Sequence, residues 1–257
     1  MTTILTKDTE RDILREAGRR LGNVLKRVAE EVCPGITTLS LDVLAEKLIR
    51  DGGDEPAFLN YTPDGADRPF PKSLCVSVND EVVHGVPGSR ILKDGDIVGL
   101  DLGLKHKGFF VDSAMSVPVG KVSKEAEKLI AVTKEALLAG IKAIRPGKRI
   151  GDISSAIESV ASKRPYGIVR ILGGHGIGRH VHEMPYVPNF GEKGKGPVLK
   201  DGMLLAIEPM LTVGSEEVDL DEGDGYTFRT ADGSMSAHFE HTILVTSKGA
   251  EILTLPK

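Results

Sequence analysis

Cysteine is scarce in this 257-residue chain: Cys33 and Cys75 are the only two, too few for a disulfide framework. No apolar run approaches the roughly 18 residues needed to span a bilayer. The opening MTTILTKDTERD also lacks the apolar core of a secretory signal. These absences argue against a membrane partner and for a reducing cytoplasm. Positive charge is not in surplus either: 33 Lys and Arg stand against 37 Asp and Glu, a formal charge of -4. A chain with that balance carries no footprint for specific nucleic-acid binding.

The composition is that of a packed globular protein, with 40% hydrophobic and 27% charged residues. Its 30 glycines and 14 prolines indicate many turns rather than disorder. The length suits either one large α/β core or two halves.

Residues 8 to 32 place Ile13, Leu14, Ala17, Leu21, Val24, Leu25 and Val28 at helical spacing, and Cys33-Pro34-Gly35 ends the pattern. A second helix, capped by Thr38 or Ser40, is expected through about Arg50. From Ala57 to Val117 the period shortens, and SLCVSV, EVVHGV, DIVGLDLGL and GFFVDSAMSV read as strands separated by turns. A third helix is expected over about Ser123 to Ile144, a break at Arg145-Pro146-Gly147, and a fourth helix from Asp152 to about Ser162. Strands return in YGIVRIL, GMLLAIEPMLTV, YTFRT and AHFEHTILVT.

Two helices and then strands are thus followed by two helices and then strands. LKDGDIVGLDLG (92–103) and LKDGMLLAIEPM (199–210) hold equivalent places in the two rounds. The reading is an internal duplication: an α/β (α+β) fold of two helix-pair-plus-antiparallel-sheet units related by a pseudo-two-fold axis.

In each copy the Lys-Asp-Gly turn leads into an apolar run that ends on a carboxylate, Asp101 in the first and Glu208 in the second. A hairpin turn at His106-Lys107 would set Asp101 directly opposite Asp112. Solvated strand aspartates are the ordinary alternative, but the flanking residues are apolar. Glu208 lies inside GMLLAIEPML and Glu240 inside SAHFEHTILV, so four acids punctuate strands that should be buried. An unpaired buried carboxylate costs several kcal/mol, and four of them call for a cation or shared protons. Two divalent metal ions would cancel the four charges and form a recurrent hydrolytic unit.

Among the histidines, His175 sits between glycines in GGHGIGRHVHEMP, where backbone can approach closely, and reads as functional. His106, in a polar turn, and His180 read as ordinary hydrogen-bonded residues, while His238 and His241, flanking Glu240, are left open. His180 and His182 could instead chelate a single zinc ion, but that leaves four buried acids unexplained.

DLGLKHKGFFVDSA, GGHGIGRHVHEMP, AIEPM and FEHT, with EVVHGVPG upstream, resemble in order and spacing the motifs of the type I methionine aminopeptidases. The resemblance covers nearly the whole chain. It implies the pita-bread fold, one catalytic domain over 1–257, and Asp101, Asp112, His175, Glu208 and Glu240 as metal ligands. It further implies two divalent ions drawn from Mn, Fe, Co or Zn, and a monovalent cation near Asn79, Glu81 and Ser236. Glu208 follows His175 by only 33 positions, which leaves no room for the helical insertion of the type II enzymes. The lack of a zinc-finger extension resembles the bacterial form.

The mechanism implied by resemblance has a metal-bridging hydroxide attack the first peptide bond while Glu208 shuttles the proton. His182 stabilises the oxyanion, and His84 contacts the scissile amide nitrogen. Cys75, Phe70, Tyr61, Val181 and Tyr226 are the implied substrate-binding residues of an apolar methionine slot, and a small second residue is expected. The substrates implied are N-termini of nascent polypeptides, a setting that admits a transient ribosome contact; a monomer is the default. YTPDGADRP is longer than a compact family loop, and His180 stands where glycine is often found beside His182. A non-catalytic pita-bread binding module and an Xaa-Pro peptidase are the rival readings. Such modules lose ligands and such peptidases carry an extra domain.

Overall fold

The computed structural model describes residues 2–63 and 65–257. Asp64, inside the 61–69 loop singled out above, and Met1 lie outside the described residues.

The first half holds α1 (Asp8–Glu30), α2 (Thr38–Asp51), β1 (Glu55–Pro56), β2 (Leu74–Val78), β3 (Glu81–Val83), β4 (Ile97–His106) and β5 (Phe109–Pro118). The second begins with α3 (Lys124–Ala143) and α4 (Ile150–Ala161), then β6 (Gly167–Ile168), β7 (Gly173–Gly176) and β8 (Glu183–Pro188). It continues through β9 (Leu204–Ile207), β10 (Met210–Thr212), β11 (Val218–Leu220), β12 (Phe228–Thr230), β13 (Ser236–His238), β14 (His241–Thr246) and β15 (Gly249–Ile252). The four helices fall where the apolar periodicity placed them. The cap of α2 is Thr37 rather than Thr38 or Ser40, since its side chain accepts the Ser40 amide. The last helix starts two residues early because Asp152 sits in its first turn and accepts the Arg149 amide.

β4 is the spine of the first sheet, paired antiparallel with β5 on one side and with β1 and β2 along the other. The second sheet runs in the order β15, β14, β9, β7, β8. Each half has its own core. Leu14, Leu21, Val28 and Leu41 of the first helix pair pack on Leu100, Leu102 and Leu104, while Leu129, Leu137, Ile153 and Ile157 of the second pack on Leu205, Ile207 and Ile243. Both copies of the Lys-Asp-Gly turn use a left-handed glycine, Gly95 at φ 97° and Gly202 at φ 86°. The duplicated helix-pair-plus-sheet architecture read from the sequence is therefore the one observed. Among the described residues, no helix is long and apolar enough to cross a membrane.

The register of the first hairpin differs from expectation. The turn is Lys107-Gly108, at φ 47° and 84°, not His106-Lys107. A two-residue turn of this hand needs positive φ at both central positions, which glycine supplies without strain. His106 instead turns inward, with Nδ1 2.6 Å from Asp54 Oδ1. Asp101 consequently pairs with Ala114, and Asp112 with Gly103. A shift of two residues preserves the face, so the two aspartates become diagonal neighbours on one side of the sheet.

Candidate active site

A pocket of about 80 Å³ opens where the two sheets meet, and its polar end is built from Asp101, Asp112, His175, Glu208 and Glu240. Each half contributes two of the four acids. Asp101 and Asp112 project from β4 and β5; Glu208 and Glu240 sit in the breaks between β9 and β10 and between β13 and β14. Pro209 makes the first break legible in the sequence, because proline cannot donate to a ladder.

His175 stands on β7 between two glycines that the packing requires. A Cβ on Gly174 would lie 2.3 Å from the Ala206 carbonyl oxygen, and one on Gly176 would lie 2.1 Å from that of Met184. The imidazole Nδ1 is 2.8 Å from the Gly176 carbonyl, which turns Nε2 toward Glu208 Oε1 at 3.5 Å. Ligand atoms of Asp112, His175 and Glu240 all lie within 4.8 Å of one another.

The electrostatics of this cluster are unresolved by protein groups alone. Asp101 Oδ1, Asp112 Oδ1 and Glu240 Oε1 are buried without a hydrogen-bond partner. Burial, and then the charge of Asp112, push the Asp101 carboxyl well above the usual range. Burial likewise raises Glu240, with Asp112 and Glu208 adding to it. Asp112 is raised to about 6 by burial, against a lowering by His175. Glu208 alone moves down: burial would raise it, but His238, His175 and His182 together outweigh that penalty. Three orphaned carboxylate oxygens converging beside an imidazole are a donor set that fits divalent cations of the Mn, Fe, Co or Zn type.

His84 and His182 flank the polar end. His84 holds φ 60°, a conformation rare outside glycine, and its ring lies edge-on to Phe228 at 5.9 Å. Burial lowers its pKa to about 4, against an opposing pull from Glu208. Solvent reaches His182 through the pocket mouth, yet the protein packed behind its ring, and then His175, depress its pKa, so the neutral form prevails near pH 7. Its Nδ1 is 2.8 Å from the Tyr61 hydroxyl, and its ring stands 4.5 Å from that of His175. The loop between them is pinned by Glu183, whose carboxylate accepts the amides of Thr3, Arg179 and His180. His180 itself is exposed and is not among the pocket-lining side chains.

The apolar end is lined by Phe58, Tyr61, Pro63, Phe70, Cys75 and Tyr226. Four of these are sequence candidates; the fifth candidate, Val181, packs in the cluster behind with Phe70 and Tyr226 rather than on the wall. Phe58 and Pro63 escaped the sequence reading because nothing in AFLNYTP separates a pocket wall from ordinary core. Beyond Asp64 the chain is held at Arg68, whose carbonyl accepts from the Tyr226 hydroxyl. Burial, and then Asp101, push the Cys75 thiol well up, so it serves as a neutral apolar surface. Asn79, Glu81 and Ser236 also converge, with Ser236 Oγ 3.0 Å and 3.1 Å from the carbonyls of Asn79 and Glu81.

The chain also matches known proteins over nearly its whole length. The model of metallopeptidase family M24 matches residues 12–247. The methionine aminopeptidase of Clostridium perfringens is 48% identical over 254 residues, covering 99% of both chains. That of Aquifex aeolicus is 46% identical over 259 residues, again with 99% of both chains covered. The crystal structure of the Rickettsia prowazekii methionine aminopeptidase superposes with a TM-score of 0.95 at 41% identity, covering 99% of this chain and all of the other.

Proposed function

The chain belongs to metallopeptidase family M24 and, within it, to the methionine aminopeptidases, and on that premise we propose that its pocket removes the N-terminal methionine of nascent polypeptides whose second residue is small. The observation that carries this reading is the junction of an apolar slot with a cluster of orphaned carboxylates and one imidazole in a single pocket. We read residues 1–257 as one catalytic unit, and the working complement as two divalent ions drawn from Mn, Fe, Co or Zn. Asp112, His175 and Glu240 would hold one ion, and Asp101 would join Asp112, Glu208 and Glu240 in holding the pair. When bound, these ions supply Lewis acidity and make water a nucleophile near neutral pH.

The remaining work falls to side chains. The slot formed by Phe58, Tyr61, Phe70, Cys75 and Tyr226 seats the thioether, which gains from soft and aromatic walls. Glu208, the one acid of the cluster held below its usual range, accepts the proton of the attacking water and delivers it to the departing amine. The Tyr61 hydroxyl lies 2.8 Å from His182 Nδ1; in the tautomer where it donates there, Nε2 carries the proton and serves as a donor for the developing oxyanion. His84, held neutral at pH 7 by burial, contacts the scissile nitrogen and, with Phe228 behind it, crowds the space for the second residue.

The test is a comparison of Met-Ala-Ser, Leu-Ala-Ser and Met-Leu-Ser as substrates. The reading requires that the first be cleaved in clear preference to both others. Equal turnover of Leu-Ala-Ser would remove the methionine slot from the account.

A further inference from the structure

His238 is the one buried imidazole near the pocket that the proposed chemistry leaves without work. It ends β13, opposite Met210 of β10, and is 3% exposed. Its backbone is fixed on both sides by Ser116: the His238 amide donates to Ser116 Oγ at 2.9 Å, and the Ser116 hydroxyl lies 3.0 Å from the His238 carbonyl. The ring is not among the side chains that line the pocket. Its Nε2 points at Glu208 Oε2 from 3.5 Å and has no hydrogen-bond partner of ordinary geometry among the described residues.

Glu208 is thereby gripped from two sides. Oε1 faces His175 Nε2 at 3.5 Å, and Oε2 faces His238 Nε2 at the same distance. Asn189, fully buried, donates from Nδ2 to the Glu208 carbonyl at 3.0 Å, so the backbone below the carboxylate is held as well. A glutamate has three side-chain torsions, and a carboxylate that must both face cations and carry a proton needs its lone-pair directions set. Burying a donor with no other partner would be a net cost unless Glu208 accepts from it. Contacts of this kind are commonly long before substrate binds and tighten afterwards.

We propose that His238 is a positioning residue for Glu208: its Nε2–H holds Oε2 from behind the pocket wall, leaving Oε1 as the oxygen that faces the ion cluster. The proposal rests on the function assigned to Glu208 above. His238 touches neither substrate nor the reacting atoms and acts only through that carboxylate.

The test uses two variants of the full chain. His238→Phe keeps an aromatic volume without the donor, and His238→Gln restores an amide donor at similar reach. Each is stripped of metal and titrated with Mn(II) by calorimetry, and each reloaded protein is assayed on Met-Ala-Ser for kcat and KM separately. The expected result is that His238→Phe loses roughly 10- to 100-fold in Mn(II) affinity or in kcat, with KM little changed. His238→Gln should recover most of that loss, and both variants should keep the wild-type circular dichroism spectrum. Wild-type Mn(II) affinity and kcat in His238→Phe would overturn the proposal. So would equal impairment of the two variants, which would make the residue a packing element. If the wild-type protein released no methionine, the proposed function would fall, and the Mn(II) titrations would still decide whether His238 orients Glu208.

Discussion

Ala114 and Glu240 exchange both of their backbone hydrogen bonds, at 3.3 Å and 2.9 Å, and so join the strand that carries Asp112 to the break that carries Glu240. This is where the two halves of the duplicated chain meet. The seam is reinforced by hydroxyls: Thr242 Oγ1 accepts from the Asp112 amide at 2.8 Å and donates to the Asp112 carbonyl at 2.7 Å.

Thr242→Val keeps the shape of the seam and removes both of those bonds. Two buried backbone groups of Asp112 would then lack partners, at a cost of about 1–3 kcal/mol each. The expected outcome is a lower unfolding midpoint together with roughly 10-fold weaker Mn(II) binding, because the ligand's backbone is what the hydroxyl fixes. Chemical denaturation and calorimetry check the two halves of that statement.

Metal binding should release protons. Asp101 and Glu240 are raised well above the usual carboxylate range and Asp112 to about 6, so the metal-free cluster holds protons that a cation must displace. Apparent affinity for Mn(II) should therefore rise with pH through about 6. The heat of binding should also vary with the ionisation enthalpy of the buffer. An affinity that stays flat or falls over that range would contradict the burial of these carboxyls.

The parts of this picture that were legible in the sequence are those written in periodicity and repetition. The helix pairs follow from apolar spacing, and the duplication follows from the two Lys-Asp-Gly strings with their left-handed glycines. The four acids stood out because apolar strands make buried charge conspicuous. The hairpin register was not legible, because His106-Lys107 and Lys107-Gly108 are both polar two-residue turns and only the φ of Gly108 decides between them. Either register serves the site, since a difference of two residues keeps Asp101 and Asp112 on one face. Phe58, Pro63 and the placement of His238 behind Glu208 depend on loop geometry and inter-sheet packing, for which single residue types carry no signal.

Tyr61→Phe should separate orientation from binding. The ring that walls the slot remains, and the hydroxyl 2.8 Å from His182 Nδ1 is lost. Freed of that bond, His182 would populate the wrong tautomer and orientation for an oxyanion donor. We expect kcat on Met-Ala-Ser to fall by roughly 10-fold or more with KM changed much less. A rise in KM alone would show that the hydroxyl serves substrate binding instead.

His241 gives a prediction about stability. Its imidazole, hydrogen-bonded through Nδ1 to Thr254 Oγ1 at 2.8 Å, is depressed from 6.5 to about 4 by burial and by Lys134. Between those values the unfolded chain binds a proton that the folded chain does not, so stability rises with pH across the window and is fully present above 6.5. His241→Gln should lower the slope of that part of the curve in metal-free protein, as read by urea unfolding at a series of pH values. An unchanged slope would show that His241 is not held neutral in the fold.

Release of free methionine from Met-Ala-Ser decides whether the pocket is a metal-dependent methionine aminopeptidase worked by Glu208. Metal-stripped wild-type protein and Glu208→Gln are each assayed before and after Mn(II) is added back, with an Xaa-Pro peptide as control. The expected result is release by the wild-type protein only after Mn(II) is restored, none from the control, and a loss of roughly 10²- to 10⁴-fold in the folded variant. Near-normal release by Glu208→Gln, or release by the stripped protein, would contradict it.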